Sequence, residues 1–165
     1  MPKQLSPEGM KEFEWLLTRY PKRRAAMLPT LRLIEKEFGK IDLEGLKLCA
    51  ELIQTSPADV YGVVSFYTHY KCDLPGRQDG DHVIWLCHTL PCALRGCKET
   101  LQALEKALGV KTWGTTKDGK FTLKKAECLA SCDTAPCLQV DDDHYDHVTP
   151  DKVEGVLAKY GWKKA

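Results

Sequence analysis

The sequence predicts an α+β chain, a helical bundle over residues 1–74 followed by a strand-and-helix domain over residues 81–165. Three observations predict it. Ser6-Pro7, Ser56-Pro57 and Thr149-Pro150 each place a side-chain oxygen at an N-cap and a proline at the first helical position, where no donor is lost. The apolar period changes from helical to strand-like after Gly80. Beyond that point two cysteine pairs each follow a strand-like run.

Taken in order, Ser6-Pro7 opens the first helix. From Lys22 to Phe38 apolar residues fall at Ala25, Leu28, Leu31, Ile34 and Phe38, close to a helical period, with Pro29 expected to kink or restart the helix and Gly39 to end it. Asp42 is placed to cap a helix running to about Ile53. Ser56-Pro57, with Asp59 offering a capping box, opens the stretch that closes at Tyr67, so the first part is expected to be all-helical. Leu74-Pro75-Gly76 to Gly80 is the natural boundary. His82 to Leu86 then forms a short apolar strand, and Gly96 to Leu108 a helix with Leu101, Leu104 and Leu108 on one face. Lys117-Asp118-Gly119-Lys120 supplies a tight turn before the alternating strand Phe121 to Ala126. Leu138 to Val148 is expected as a hairpin around Asp141 to Asp143, and a last helix follows Thr149.

Composition removes several classes of function. The chain has 165 residues with 24 basic and 23 acidic side chains, a formal +1, and no long run of one sign, so the charge pattern of a nucleic-acid binder is missing. No stretch reaches the roughly 18 apolar residues of a membrane span. The start, MPKQLSPEGMKEFEWLL, lacks a signal-peptide core and the acid-poor look of a transit peptide, which makes the cytoplasm the expected address. In that compartment eight cysteines point to metal or redox chemistry rather than to disulfides. There is no G-x-G-x-x-G, P-loop or G-x-S-x-G, so nucleotide binding and acyl chemistry have no seat on this chain.

The chemistry is expected in Cys87-His-Thr-Leu-Pro-Cys92 and Cys128-Leu-Ala-Ser-Cys132. If their strands are neighbours in one sheet, the following loops lie side by side and Cys87, Cys92, Cys128 and Cys132 supply four thiolates to one site. Two ferric ions, two sulfides and four thiolates carry a charge of about −2, which gains one electron on reduction. The C-x4-C step differs from the C-x2-C knuckles common in zinc sites, and the C-x-x-C of dithiol enzymes is missing. A [2Fe-2S] cluster is therefore expected, against a structural zinc staple, a dithiol enzyme or inert buried thiols. Cys49 and Cys72 are expected to be ordinary buried or incidental thiols. Cys97 and Cys137, each five positions after an expected ligand, are open to packing, to a disulfide or to a substitute ligand role, packing being preferred. His88 lacks the second histidine that a Rieske-type site needs, since none lies between Cys128 and Cys137. Asp141-Asp142-Asp143 fits a solvated turn better than a calcium loop. Leu90, Pro91, Ala135 and Pro136 are expected to form a shielding rim, and Arg95, Lys98, Lys124 and Lys125 to be solvated or to offset cluster charge.

Beyond spacing, the chain resembles the thioredoxin-like [2Fe-2S] subunit of NADH:quinone oxidoreductase, the respiratory complex I. The likeness is carried by Pro21-Lys22-Arg23-Arg24-Ala25-Ala26, Gly62-Val63-Val64-Ser65-Phe66-Tyr67, Thr115 to Phe121, and Glu127-Cys128-Leu129-Ala130-Ser131-Cys132-Asp133-Thr134-Ala135-Pro136. Three positions depart from that pattern: Ala130 where glycine is common, Cys137 where an aliphatic residue is usual, and Ala93 where histidine is frequent. The resemblance implies a thioredoxin-like second domain with the cluster at its strand ends, and an electron-transfer role without a complete active site on this chain. It also implies a partner subunit that binds FMN and NADH, further peripheral-arm subunits, and a place at the inner face of a bacterial plasma membrane without insertion into it. An equivalent diaphorase subunit of an NAD-linked hydrogenase or formate dehydrogenase, and a zinc-binding adaptor, are the alternatives.

Overall fold

The structure is a computed structural model describing residues 3–164, and it divides into two compact units, Met1–Gln78 and Asp79–Ala165. In the first unit, α1 (Pro7–Thr18) starts where Ser6 Oγ accepts the Gly9 amide at 3.0 Å. Ser6 also donates from its hydroxyl and its amide to Glu37, tying α1 to the end of α2 (Met27–Phe38). A 3-10 turn, Arg23–Ala26, precedes α2, so the restart comes at Met27, ahead of the expected Pro29. Pro29 is the third helical residue, where an amide has no intrahelical acceptor, and so it is accommodated without a kink. Gly39, at φ 78°, closes the helix by donating to Glu35.

Asp42 accepts the Gly45 amide at 2.8 Å and caps α3 (Leu43–Ile53), and Ser56 accepts the Asp59 amide at 3.1 Å to cap α4 (Pro57–Phe66). These helices bury Leu31, Ile34, Leu46, Cys49, Ile53, Val60 and Val64 in one core. The expectation of an all-helical first part is corrected. β1 (Ile41–Asp42) pairs in parallel with β2 (Cys72–Leu74), and β2 pairs antiparallel with β3 (Arg77–Gln78). Strands of two or three residues are too short to display a period of two. The expected boundary loop is thus partly a hairpin turning at Pro75-Gly76, and Cys72 is a strand residue with no exposure.

The second unit is one four-stranded sheet in the order β5-β4-β6-β7. β4 (His82–Cys87) and β5 (Phe121–Ala126) are parallel neighbours, while β6 (Leu138–Val140) and β7 (Asp143–Tyr145) form the expected hairpin across Asp141-Asp142. Gly80 enters the sheet against backbone: a Cβ there would lie 2.9 Å from the Phe121 nitrogen, so only glycine fits the approach. The parallel pair needs a crossover, and α6 (Cys97–Leu108) provides it, burying Leu104 and Leu108 against Ile84, Leu86, Phe121 and Leu123. The last helix differs in detail. Thr149 makes no side-chain cap; its hydroxyl bonds Asp151, and a 3-10 turn, Pro150–Lys152, leads into α7 (Val153–Ala158).

Candidate metal centre

The parallel register pairs Cys87 with Ala126, so β4 and β5 end at the same edge and the loops carrying the two cysteine pairs leave side by side. The condition set by the sequence, that the two strands be neighbours, is met. Cys92 lies in α5 (Leu90–Leu94), a five-residue helix not expected from the sequence although Thr89-Leu90-Pro91 carries the start signal. Thr89 does not cap it. Its hydroxyl lies 3.5 Å from Cys87 Sγ instead, turning a cap residue into a sulfur partner.

The structure separates the candidate ligands into two groups. Cys87 and Cys92 are buried, and with Cys137 they form a trio whose sulfurs all lie within 4.8 Å of one another. Cys128 and Cys132 are exposed on the loop after β5 and contact each other. The exposed pair lies within electrostatic reach of the buried trio, since the Cys87 charge acts on Cys132 as well as on Cys137. Burial opposes ionisation of Cys87, but hydrogen bonds from Thr89 and the Leu129 backbone outweigh it and bring the thiol down to about 7. Burial, with the Cys92 and Cys87 charges behind it, pushes Cys137 strongly up. Desolvation, then the adjoining Cys128 sulfur, raises the Cys132 thiol.

Backbone donors reach the sulfurs from both loops. Ala130 donates its amide to Cys128 Sγ at 3.3 Å, Leu129 donates to Cys87, and Cys137 donates its amide to Cys92. Ala130 does so at φ 59°, the left-handed geometry for which glycine is favoured. The exposed loop is held by Asp146, which accepts from the Ser131 hydroxyl at 2.7 Å and from the Thr134 hydroxyl. Those two hydroxyls keep its carboxyl below the usual carboxylate range. A sulfur donor set with amides turned toward it suits a compact anionic iron–sulfur group.

All eight cysteines are free, and no Cys97 to Cys137 disulfide forms; Cys137 lies 3.8 Å from Cys92 Sγ, nearer the centre than packing alone required. Spacing carried no sign of this, because Cys137 arrives through the β4·β6 pairing. Lys124 is not solvated: it is buried and paired with Asp79 at 2.5 Å, over the Trp85 ring. Arg95 and Lys98 are exposed. In the expected rim, Ala135 and Pro136 are buried while Leu90 stands 70% exposed. His88 lies 3.7 Å from Glu127, and Asp141 accepts from Val83 and pairs with His82 at 2.7 Å, which gives both ordinary structural partners.

The profile of the thioredoxin-like [2Fe-2S] ferredoxins matches residues 13–161. The chain belongs to that family. Within it, this ferredoxin is 39% identical over 148 residues to an NADH-quinone oxidoreductase subunit of Thermus thermophilus, covering 88% of this chain and 80% of the relative. It is 35% identical over 149 residues to the corresponding NADH-quinone oxidoreductase polypeptide of Rickettsia conorii, with 88% and 87% covered. Among solved structures, the crystal structure of an NAD+-reducing [NiFe]-hydrogenase in the air-oxidized state superposes with a TM-score of 0.69 at 14% identity. That match covers 80% of the ferredoxin and 22% of the hydrogenase chain, and it is a likeness of fold.

Proposed function

We propose that this chain is an electron-transfer subunit of an NADH:quinone oxidoreductase, with one [2Fe-2S] cluster held by Cys87, Cys92, Cys128 and Cys132. The observation that carries the reading is the parallel β4·β5 pair, which delivers a C-x4-C and a C-x3-C step to one sheet edge with amides turned toward the sulfurs. Bound there, the cluster accepts and returns one electron at a time. The chain's own contribution is to hold the thiolates, offset their charge with N–H groups and keep one side of the site dry. In this reading residues 1–74 are a helical domain and residues 81–165 the ferredoxin domain.

FMN and NADH belong on a partner subunit, and other peripheral-arm subunits complete the assembly. Leu90 and Leu94, 70% and 79% exposed on either side of Cys92 in the chain, form an apolar rim suited to burial against that partner. Among the described residues no helix is long and apolar enough to cross a membrane. In this proposal the assembly sits on the cytoplasmic face of a bacterial plasma membrane. Relatives at 33 to 39% identity are quinone oxidoreductase subunits, and this favours that context over a hydrogenase or formate dehydrogenase, where the likeness is of fold.

The test is iron and acid-labile sulfide on anaerobically purified protein, with an EPR spectrum after dithionite reduction and identification of co-purifying subunits. Two irons and two sulfides, a spin-half signal and an FMN-containing partner are the expected results. Stoichiometric zinc without sulfide or signal, in protein never exposed to oxygen, would show a zinc-stapled adaptor instead.

A further inference from the structure

The proposed ligands leave one thiol of the buried trio without a task. Cys137 is fully buried, its Sγ lies 3.8 Å from Cys92 Sγ, and its amide also donates to Cys92. A disulfide needs the sulfurs about 2.05 Å apart, so this contact is not a bond in waiting at its present length. It is within reach of an S–H donor on a sulfur acceptor. Position here is set by the sheet rather than by a loop. The β4·β6 register pairs Leu86 with Leu138, and the Cys87 amide donates to the Cys137 carbonyl at 3.2 Å, so Cys137 is held one step beyond the last ladder pair.

We infer that Cys137 is a positioning residue for the electron-transfer centre, donating its S–H to the Cys92 sulfur and thereby raising the cluster's reduction potential. The inference rests on the proposed ligand set. Its physical basis is the charge change at the site: one-electron reduction adds negative charge to the cluster and its thiolates, so a donor on a ligand sulfur stabilises the reduced form more than the oxidised form. Cys87 takes donors from Thr89 and Leu129 and also touches the Cys92 and Cys137 sulfurs, and Cys128 takes one from Ala130. Cys92 takes two from Cys137, one from the backbone that any residue keeps and one from the thiol that an aliphatic residue lacks. No oxidant or ligand exchange is involved, and the proton stays on Cys137.

Cys137→Val and Cys137→Ser in the full chain test it, with iron and sulfide measured first and the potential then read by EPR-monitored redox titration. Valine keeps bulk and amide but removes the donor; serine keeps a donor and loses some bulk. The expected result is unchanged cluster content in both, a lower potential for Cys137→Val, and a potential at or above the parent's for Cys137→Ser. After exchange into D2O, a deuteron coupling at the reduced cluster of the parent is expected to be missing from Cys137→Val. Equal potentials for parent and valine variant overturn the inference. A shift in serine alone shows packing, and altered charge-transfer bands in the fully loaded valine variant show ligation; either overturns it too. A parent chain that binds no cluster overturns the ligand assignment itself, a result the metal analysis separates from the others.

Discussion

The two halves of the cysteine site are built on opposite plans. Cys87, Cys92 and Cys137 come from a strand end, a short helix and the residue before an antiparallel partner strand, and all three are buried. Cys128 and Cys132 stand on an exposed loop whose hold on the sheet runs through Asp146 and through the Thr134 carbonyl, which accepts from His147 at 2.8 Å. A buried half gives fixed sulfur positions and a low dielectric, and an open half gives access for assembly and for an electron donor. The C-x4-C and C-x3-C steps, alike in sequence, thus do different physical work.

The comparison breaks most sharply at the proposed ligands. Cys87→Ala is expected to abolish iron and sulfide retention and the reduced-state EPR signal. Cys132→Ala is expected to leave a cluster that chelators strip faster, because solvent reaches the exposed position. Equal losses in iron analysis would show that the halves are equivalent. The next largest effect concerns the strand that delivers the open half. Lys124→Ala leaves Asp79 buried without its ammonium and is expected to destabilise the second unit by about 3 to 5 kcal/mol in urea denaturation.

Stripping the metal anaerobically and alkylating the native chain is expected to label Cys128 and Cys132 well before Cys87, Cys92 and Cys137, as followed by mass spectrometry of the peptides. Cys87 is the informative case, since its lowered pKa favours reaction while its burial forbids it, and burial is expected to win. Asp146→Ala is expected to speed iron loss to a chelator at neutral pH. The pH dependence has a defined sign. Because the folded carboxyl sits below its ordinary value, its support of the loop is complete above that value and is lost as pH falls through the lower folded pKa. The smallest change is Ala130→Gly, which relieves a left-handed backbone and is expected to stabilise the loop by about 1 kcal/mol, read as slower cluster loss on warming.

Much of this was legible in the residues alone. Ser6, Asp42 and Ser56 cap helices at the positions their side chains announced, because capping is local chemistry between a residue and an amide two or three places on. The strand before Cys87 was visible in an apolar run and the strand before Cys128 in alternation, and the turn at Gly119 and the hairpin at Asp141-Asp142 were visible in their turn residues. The small sheet of the first unit was not, because two residues of strand leave no period to detect. Thr149 misled for a related reason: a proline-started segment accepts a 3-10 turn as readily as an α-helix, and its hydroxyl found Asp151.

By itself the sequence determined the kind of chemistry, since thiolates at C-x4-C and C-x3-C spacing restrict the metal group whatever surrounds them, and it determined where most helices begin. Tertiary structure alone decided which thiols sit together. Pairing of β6 with β4 carries Cys137 across 45 residues to within 3.8 Å of Cys92, and the Asp79 ion pair draws Lys124 inward from the surface. Such contacts depend on strand order and register, which act between residues far apart in the chain and leave no trace in local spacing.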